Sequence, residues 1–190
     1  MNKIIEDKIM STLIIHPKDS STSFLDIIYE NIEDKTVITG GLTKKEVNEE
    51  IERHDRVMMM GHGSPSGLFS VGRFNSWSGF IIDHTTVPLL MKKENSVFIW
   101  CNANIFVEYF NLKGFYSGMF ISEVGEAEYC GLPGTTQDIV DESNFGFCKL
   151  MSNYIEQDKT VIYENIKKEY GLLSENNPVA LYNNKRLFIS

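Results

Sequence analysis

The run Arg56–Met60, followed at once by Gly61-His62-Gly63, constrains this chain more than any other feature. After Arg56 the residues Val57-Met58-Met59-Met60 are apolar without alternation. A strand with one wet face would alternate, so this run predicts a central parallel strand covered by helices on both sides.

The neighbouring segments supply the rest of such a sheet. Residues 11–15 are a short apolar run stopped by His16-Pro17, and residues 36–39, 96–100 and 115–122 read as three more strands. Helical stretches separate them. Ser20 to Ser23 offer caps for a helix reaching about residue 31, with Phe24, Leu25, Ile28 and Ile32 on one side. Thr43-Lys44-Lys45-Glu46 is a capping box for a helix to about Arg53. A short helix is expected over 86–93, with Pro88 in its first turn. Longer ones are expected over 102–112, with Ile105, Phe106, Tyr109 and Phe110 as apolar face, and over 137–155 and 160–170. The glycine-rich stretch 64–83, with Arg73, Asn75 and Trp77, reads as a loop or small hairpin, and the tail 179–189 as a hairpin or one added strand.

Strands alternating with helices and joined by right-handed crossovers predict an α/β fold. The expected architecture is a mostly parallel sheet of five or six strands, order about 2-1-3-4-5-6, with helices on both faces. At 190 residues the chain reads as one domain, 1–190.

Composition narrows the function. The formal charge is -8, from 26 acidic and 18 basic residues with no basic run, which argues against nucleic acid as a partner. No apolar stretch approaches the roughly 20 residues that cross a bilayer, and residues 1–10 mix Lys3 and Lys8 with Glu6 and Asp7, so neither a membrane span nor a signal peptide is expected. Cys101, Cys130 and Cys148 are an odd set without zinc spacing, as in a reducing, cytoplasmic setting. The four histidines include no His-x-x-x-His pair, and the glycines match neither a phosphate loop nor a dinucleotide fingerprint, so no metal or cofactor is expected. No oligomeric state is implied.

Two residues carry chemistry. Open α/β sheets place their sites outside the C-terminal ends of the strands, and both Gly61-His62-Gly63 and Cys101 fall at such ends. A free thiol is mostly protonated at neutral pH, and an adjacent imidazole can lower its pKa or take its proton. Gly63 can offer a backbone donor to a developing oxyanion. Free cysteine is also a common inert core residue, and that competes for Cys101. Asp83-His84 is read as structural, because adjacent residues on an extended segment face opposite ways.

The order strand, Gly61-His62-Gly63, loop, helix, strand, Cys101 resembles the caspase-like cysteine peptidases, which include clostripain, gingipains and CHAT-type domains. In that group a His-Gly pair closes the third strand and the nucleophilic cysteine closes the fourth; His62-Gly63 and Cys101 match. The resemblance implies a caspase-like three-layer sandwich and a cysteine endopeptidase acting on a peptide or protein substrate through a Cys-His dyad. It also implies a specificity pocket near the His-Gly loop and the segment after the fifth strand, where Glu123, Glu126 and Glu128 stand, with Arg73 in the loop after His62. Acidic lining by Glu123 or Glu126 favours Lys or Arg before the scissile bond; Arg73 there favours Asp. Asn102-Ala103-Asn104 departs from the sequence usual after the cysteine, which leaves a catalytically inactive binding or assembly module as the alternative.

Overall fold

The computed structural model describes residues 10–74 and 78–190, so Asn75 and Trp77 of the expected loop lie outside the described residues. β1 (Thr12–Ile15) leads through a 3-10 turn at Ser23–Leu25 into α1 (Asp26–Tyr29), then β2 (Lys35–Ile38), α2 (Lys44–Arg53) and β3 (Arg56–Met60). Three short strands follow, β4 (Gly63–Ser64), β5 (Gly67–Phe69) and β6 (Phe80–Ile82), and then α3 (Val87–Leu90), β7 (Ser96–Ile99), α4 (Ala103–Tyr109) and β8 (Gly114–Ser117). The chain ends with α5 (Val124–Tyr129), α6 (Gln137–Tyr154), α7 (Lys159–Leu173), α8 (Pro178–Asn184) and β9 (Leu187–Ile189).

The main sheet has six strands in the order β2-β1-β3-β7-β8-β9. All neighbours are parallel except β9, which closes the edge antiparallel to β8. Counted within this sheet, the order is the expected 2-1-3-4-5-6. Along each central strand, successive side chains enter opposite cores. Val57, Met59, Phe98 and Trp100 pack with α2, α3 and α4. Met58, Met60, Val97 and Ile99 pack with α1, α6 and α7. Both faces are therefore dry, which explains why the apolar runs do not alternate.

Three expectations need correction. The 64–83 stretch forms a separate antiparallel sheet, β4-β5-β6, in place of a loop or single hairpin. Trp100 at the end of β7 ties it down by donating from Nε1 to Ser64 O (3.1 Å). The fifth main-sheet strand stops at Ser117, well short of residue 122. The segment after residue 122 turns at once into a helix: Glu123 is the N-cap of α5, and its amide donates to Glu126 Oε2 (3.2 Å). In the tail, residues 179–182 belong to α8, because Asn177 accepts from Ala180 N and Pro178 takes the first helical position; only β9 is an added strand.

Two buried polar groups anchor the sheet to its helices. Arg56 is 1% exposed and donates to Asn95 O (2.9 Å) and to Ile155 O, the carbonyl at the C-cap of α6. His16, fully buried at the end of β1, meets Tyr29 Oη through Nδ1 (3.0 Å), and Tyr29 in turn donates to Asp26. Since the tyrosine proton is used on Asp26, Nδ1 carries the ring proton. Nε2 is then a bare acceptor, buried without a hydrogen-bond partner among the described residues. Burial, opposed only in part by Asp26, pushes the His16 pKa down from 6.5 to about 4.

Above pH 6.5 the ring is neutral in both states and its stabilisation is fully present. As the pH falls from 6.5 toward 4, the unfolded chain takes up a proton that the folded one refuses, costing roughly 3 kcal/mol. Denaturant titrations of wild type and His16→Gln from pH 7 to pH 4 should therefore show a stability gap that narrows with acidification. A gap constant with pH contradicts a buried neutral imidazole.

Among the described residues, no helix is long and apolar enough to cross a membrane.

Candidate active site

The pairing of β3 with β7 decides where the chemistry falls. Met58, Met59 and Met60 lie beside Val97, Phe98 and Ile99, and the ladder continues with Gly61 N donating to Ile99 O (3.0 Å). The strands point the same way, so His62 and Cys101 emerge at one edge. Side-chain parity matters too. His62 follows Met58 and Met60, and Cys101 follows Val97 and Ile99, which all belong to the core beneath α1 and α6. Both residues accordingly line one small cavity of about 20 Å³, walled by Thr22, Phe24, Ile99, Phe120 and Ser122.

The backbone around them needs its special residues. Gly61 has φ of 135°, which a side chain resists. A Cβ on Gly63 would lie 2.3 Å from Trp100 Cδ1 and 2.7 Å from Gly67 O, so this glycine allows β4 to cross the indole. Phe69 N donates to His62 O (2.9 Å), making 62 and 69 a hydrogen-bonded pair; Gly63, opposite Leu68, is then in a non-hydrogen-bonded pair with its amide turned away from β5. Asn102 takes the left-handed conformation (φ 64°) between Cys101 and α4, a structural reason for an asparagine at that position.

His62 is held by two residues that the sequence reading used only as part of a helix cap or passed over. Its Nε2 lies 2.8 Å from Ser21 Oγ and 3.2 Å from Asp19 Oδ2. Ser21 Oγ donates to Asp19 Oδ1 (2.8 Å), so it accepts from His62, which places the proton of the neutral ring on Nε2. Nδ1 makes no hydrogen bond among the described residues and is the basic nitrogen. Burial raises the Asp19 pKa, but hydrogen bonds from Ser21, the His62 charge and a bond from the Thr22 amide outweigh it and hold the carboxyl below its ordinary value. The only sequence signal for Asp19 was its place just beyond β1, the strand next to β3.

Cys101 rests in a different set of contacts. Its Sγ donates to Phe120 O (3.7 Å) and to Glu126 Oε1 (3.8 Å), and no hydrogen bond joins it to His62. Burial first, and the Glu126 carboxylate second, push its pKa up to about 12. Of the two roles open to an imidazole beside a thiol, lowering the thiol pKa is not the one seen in this arrangement. Cys148 is fully buried with its pKa also raised by burial, and Cys130 stands at the C-cap of α5.

The proposed pocket residues divide. Glu126 is committed locally, accepting from Ser122 N (2.7 Å) and Ser122 Oγ (2.9 Å) besides the Cys101 thiol. Glu123 lines a second cleft of about 550 Å³ that shares Phe24 and Ser122 with the His62–Cys101 cavity. Glu128 is exposed. Arg73 lies elsewhere, in a cleft of about 830 Å³ beside Lys44, Asp83 and His84, which Cys101 does not line. Asp83 there pairs with Lys44 and accepts from Thr85 (2.7 Å), consistent with a structural role. Among the described residues no group of three or more His, Cys, Asp and Glu side chains is placed to hold a metal ion.

No family model matches the chain, and no curated protein matches it.

The Cys101 environment predicts its reactivity. Well below the raised pKa the thiolate fraction climbs about tenfold per pH unit, so alkylation of Cys101 by iodoacetamide should keep accelerating from pH 7 to pH 10. Glu126→Gln removes the adjacent negative charge while keeping an acceptor for Ser122, and should speed labelling at pH 8. Peptide mapping checks this; a plateau near pH 8, or no gain in the variant, contradicts the assignment.

Proposed function

We propose that the chain is a cysteine endopeptidase of caspase-like type, with Cys101 as nucleophile, His62 as general base and acid, and Gly63 as an oxyanion donor. The observation that carries this reading is the emergence of His62 and Cys101 from hydrogen-bonded parallel neighbours into one cavity on one face of the sheet. The mostly parallel sheet with helices on both faces is the general α/β sandwich that the caspase-like reading requires.

The protonation states define the sequence of events. The resting thiol is protonated, so attack is coupled to proton transfer and no stable thiolate–imidazolium pair precedes it. On substrate binding the Cys101 side chain leaves Phe120 O and Glu126 and turns toward His62 Nδ1. Sulfur attacks the peptide carbonyl as Nδ1 takes the thiol proton, and the carbonyl oxygen becomes an oxyanion at the Gly63 amide. Collapse of that intermediate breaks the C–N bond, His62 returns the proton to the leaving amine, and a thioester remains on Cys101. Water, deprotonated by His62, then releases the acid and restores the thiol. Asp19 and Ser21 fix the ring through Nε2 and stabilise its transient positive charge.

A second reading, a catalytically inactive binding or assembly module, is favoured by the resting contacts of Cys101, which are to Phe120 and Glu126 and not to His62. Peptide turnover separates the two. With a mixed peptide library, wild type should cleave, Cys101→Ala should be inactive, and His62→Ala should lose about 100-fold or more. Asp19→Asn should lower kcat more than it raises KM, because its contact with the ring strengthens when the imidazole is charged. Turnover that survives Cys101→Ala eliminates the peptidase reading, and absence of any cleavage by wild type favours the inactive module.

A further inference from the structure

Trp100 stands between the two groups on which the proposed chemistry depends. It precedes Cys101 in the chain, and its side chain turns to the opposite face of the sheet, into the core shared with α2, α3 and α4. There the indole, 1% exposed, meets β4. Its Nε1 donates to Ser64 O (3.1 Å), and Gly63 lies so close over the ring that any Cβ at this position would overlap Cγ and Cδ1. β4 is therefore fixed to the indole at two consecutive residues. The Gly63 amide, turned away from β5, is the oxyanion donor of the proposed reaction.

The indole itself has little freedom. Phe98 and Phe106 meet it edge-on, each with a ring centroid 5.8 Å from its own. The backbone of Trp100 is held as well, because its carbonyl accepts from Ser117 Oγ (3.0 Å) and from Ala103 N (3.2 Å), which ties the peptide joining it to Cys101 to β8 and to the start of α4. One rigid residue thus spans the gap from the backbone that carries the thiol to the strand that carries the amide. As packing alone, it would be an ordinary tie between two sheets.

We propose that Trp100 is a positioning residue for the oxyanion site: by holding β4 against the end of β7, it sets the separation between the Cys101 sulfur and the Gly63 amide. The reaction it serves rests on the peptidase reading, and the contact rests on the structure alone. A donor acts only where the charge will develop, and a displacement of about 1 Å can cost on the order of 100-fold in rate.

The test compares two reactions of the same thiol. With a peptide p-nitrophenyl ester, sulfur attacks the carbonyl, an oxyanion forms, and p-nitrophenolate leaves while His62 holds the thiol proton. With iodoacetamide, the S–C bond forms as the C–I bond breaks, and no oxyanion appears. Trp100→Phe should slow acylation of Cys101 about tenfold or more and leave its alkylation within about twofold of wild type. The same variant should move the Gly63 and Ser64 amide signals in NMR spectra and leave those of β1 in place. Exchange of Trp100 for benzothienylalanine, which keeps the shape and removes only the N–H, should give the same pattern in smaller measure and guards against a variant that folds poorly. Cys148, fully buried, reports general loosening and should label no faster in either variant. Parallel losses in both reactions, acylation unchanged in both variants, or a Gly63 signal that stays put overturns the proposal and leaves Trp100 a packing residue. Wild type that is alkylated but never acylated at Cys101 rejects the peptidase reading itself, and the positioning role falls with it.

Discussion

The parallel pairing of β3 with β1 on one side and β7 on the other is the constraint from which the rest follows. It sends three loops, after Ile15, Met60 and Ile99, out of the same edge of the sheet. The β1 loop brings Asp19 and Ser21 to the His62 ring, the β3 loop carries His62, and the β7 loop carries Cys101. Because side chains alternate along a strand, a slip of one residue between β3 and β7 would turn either His62 or Cys101 to the wrong face. The dry cores on both sides oppose such a slip, since it would also exchange Met58 and Met60 for Val57 and Met59.

Burial and the Glu126 carboxylate oppose ionisation of the Cys101 thiol. Positive charge meets the reverse at His62, where the Asp19 carboxylate would stabilise an imidazolium. The proposed peptidase step is accordingly one in which sulfur gives up its proton only as it attacks, with the cationic histidine forming in the same step. A pre-formed ion pair would require the opposite surroundings.

Much of the sheet was legible because its signals are local. The unalternating run of β3, the Thr43–Glu46 capping box, and the glycines around His62 each have one good structural solution, and the structure adopts it. The missed features depend on partners distant in sequence. Asp19 and Ser21 gain meaning only when β1 lies against β3. The contacts of Glu126 likewise depend on the fold: helix α5 turns its carboxylate onto Ser122 and the Glu123 amide and brings it beside Cys101. Helix α8 does carry a local signal, since Asn177-Pro178 is a cap followed by a proline in the first helical turn.

The most direct test of the account is capture of the acyl-enzyme. Wild type is mixed with a peptide p-nitrophenyl ester, quenched in acid within the first turnover, and examined by intact mass and peptide mapping. The account predicts one acyl group on Cys101, joined as a thioester with release of p-nitrophenol, and cleared by hydroxylamine. An acyl group on Cys130, or a chain that hydrolyses the ester through no covalent intermediate in any quench time, contradicts it.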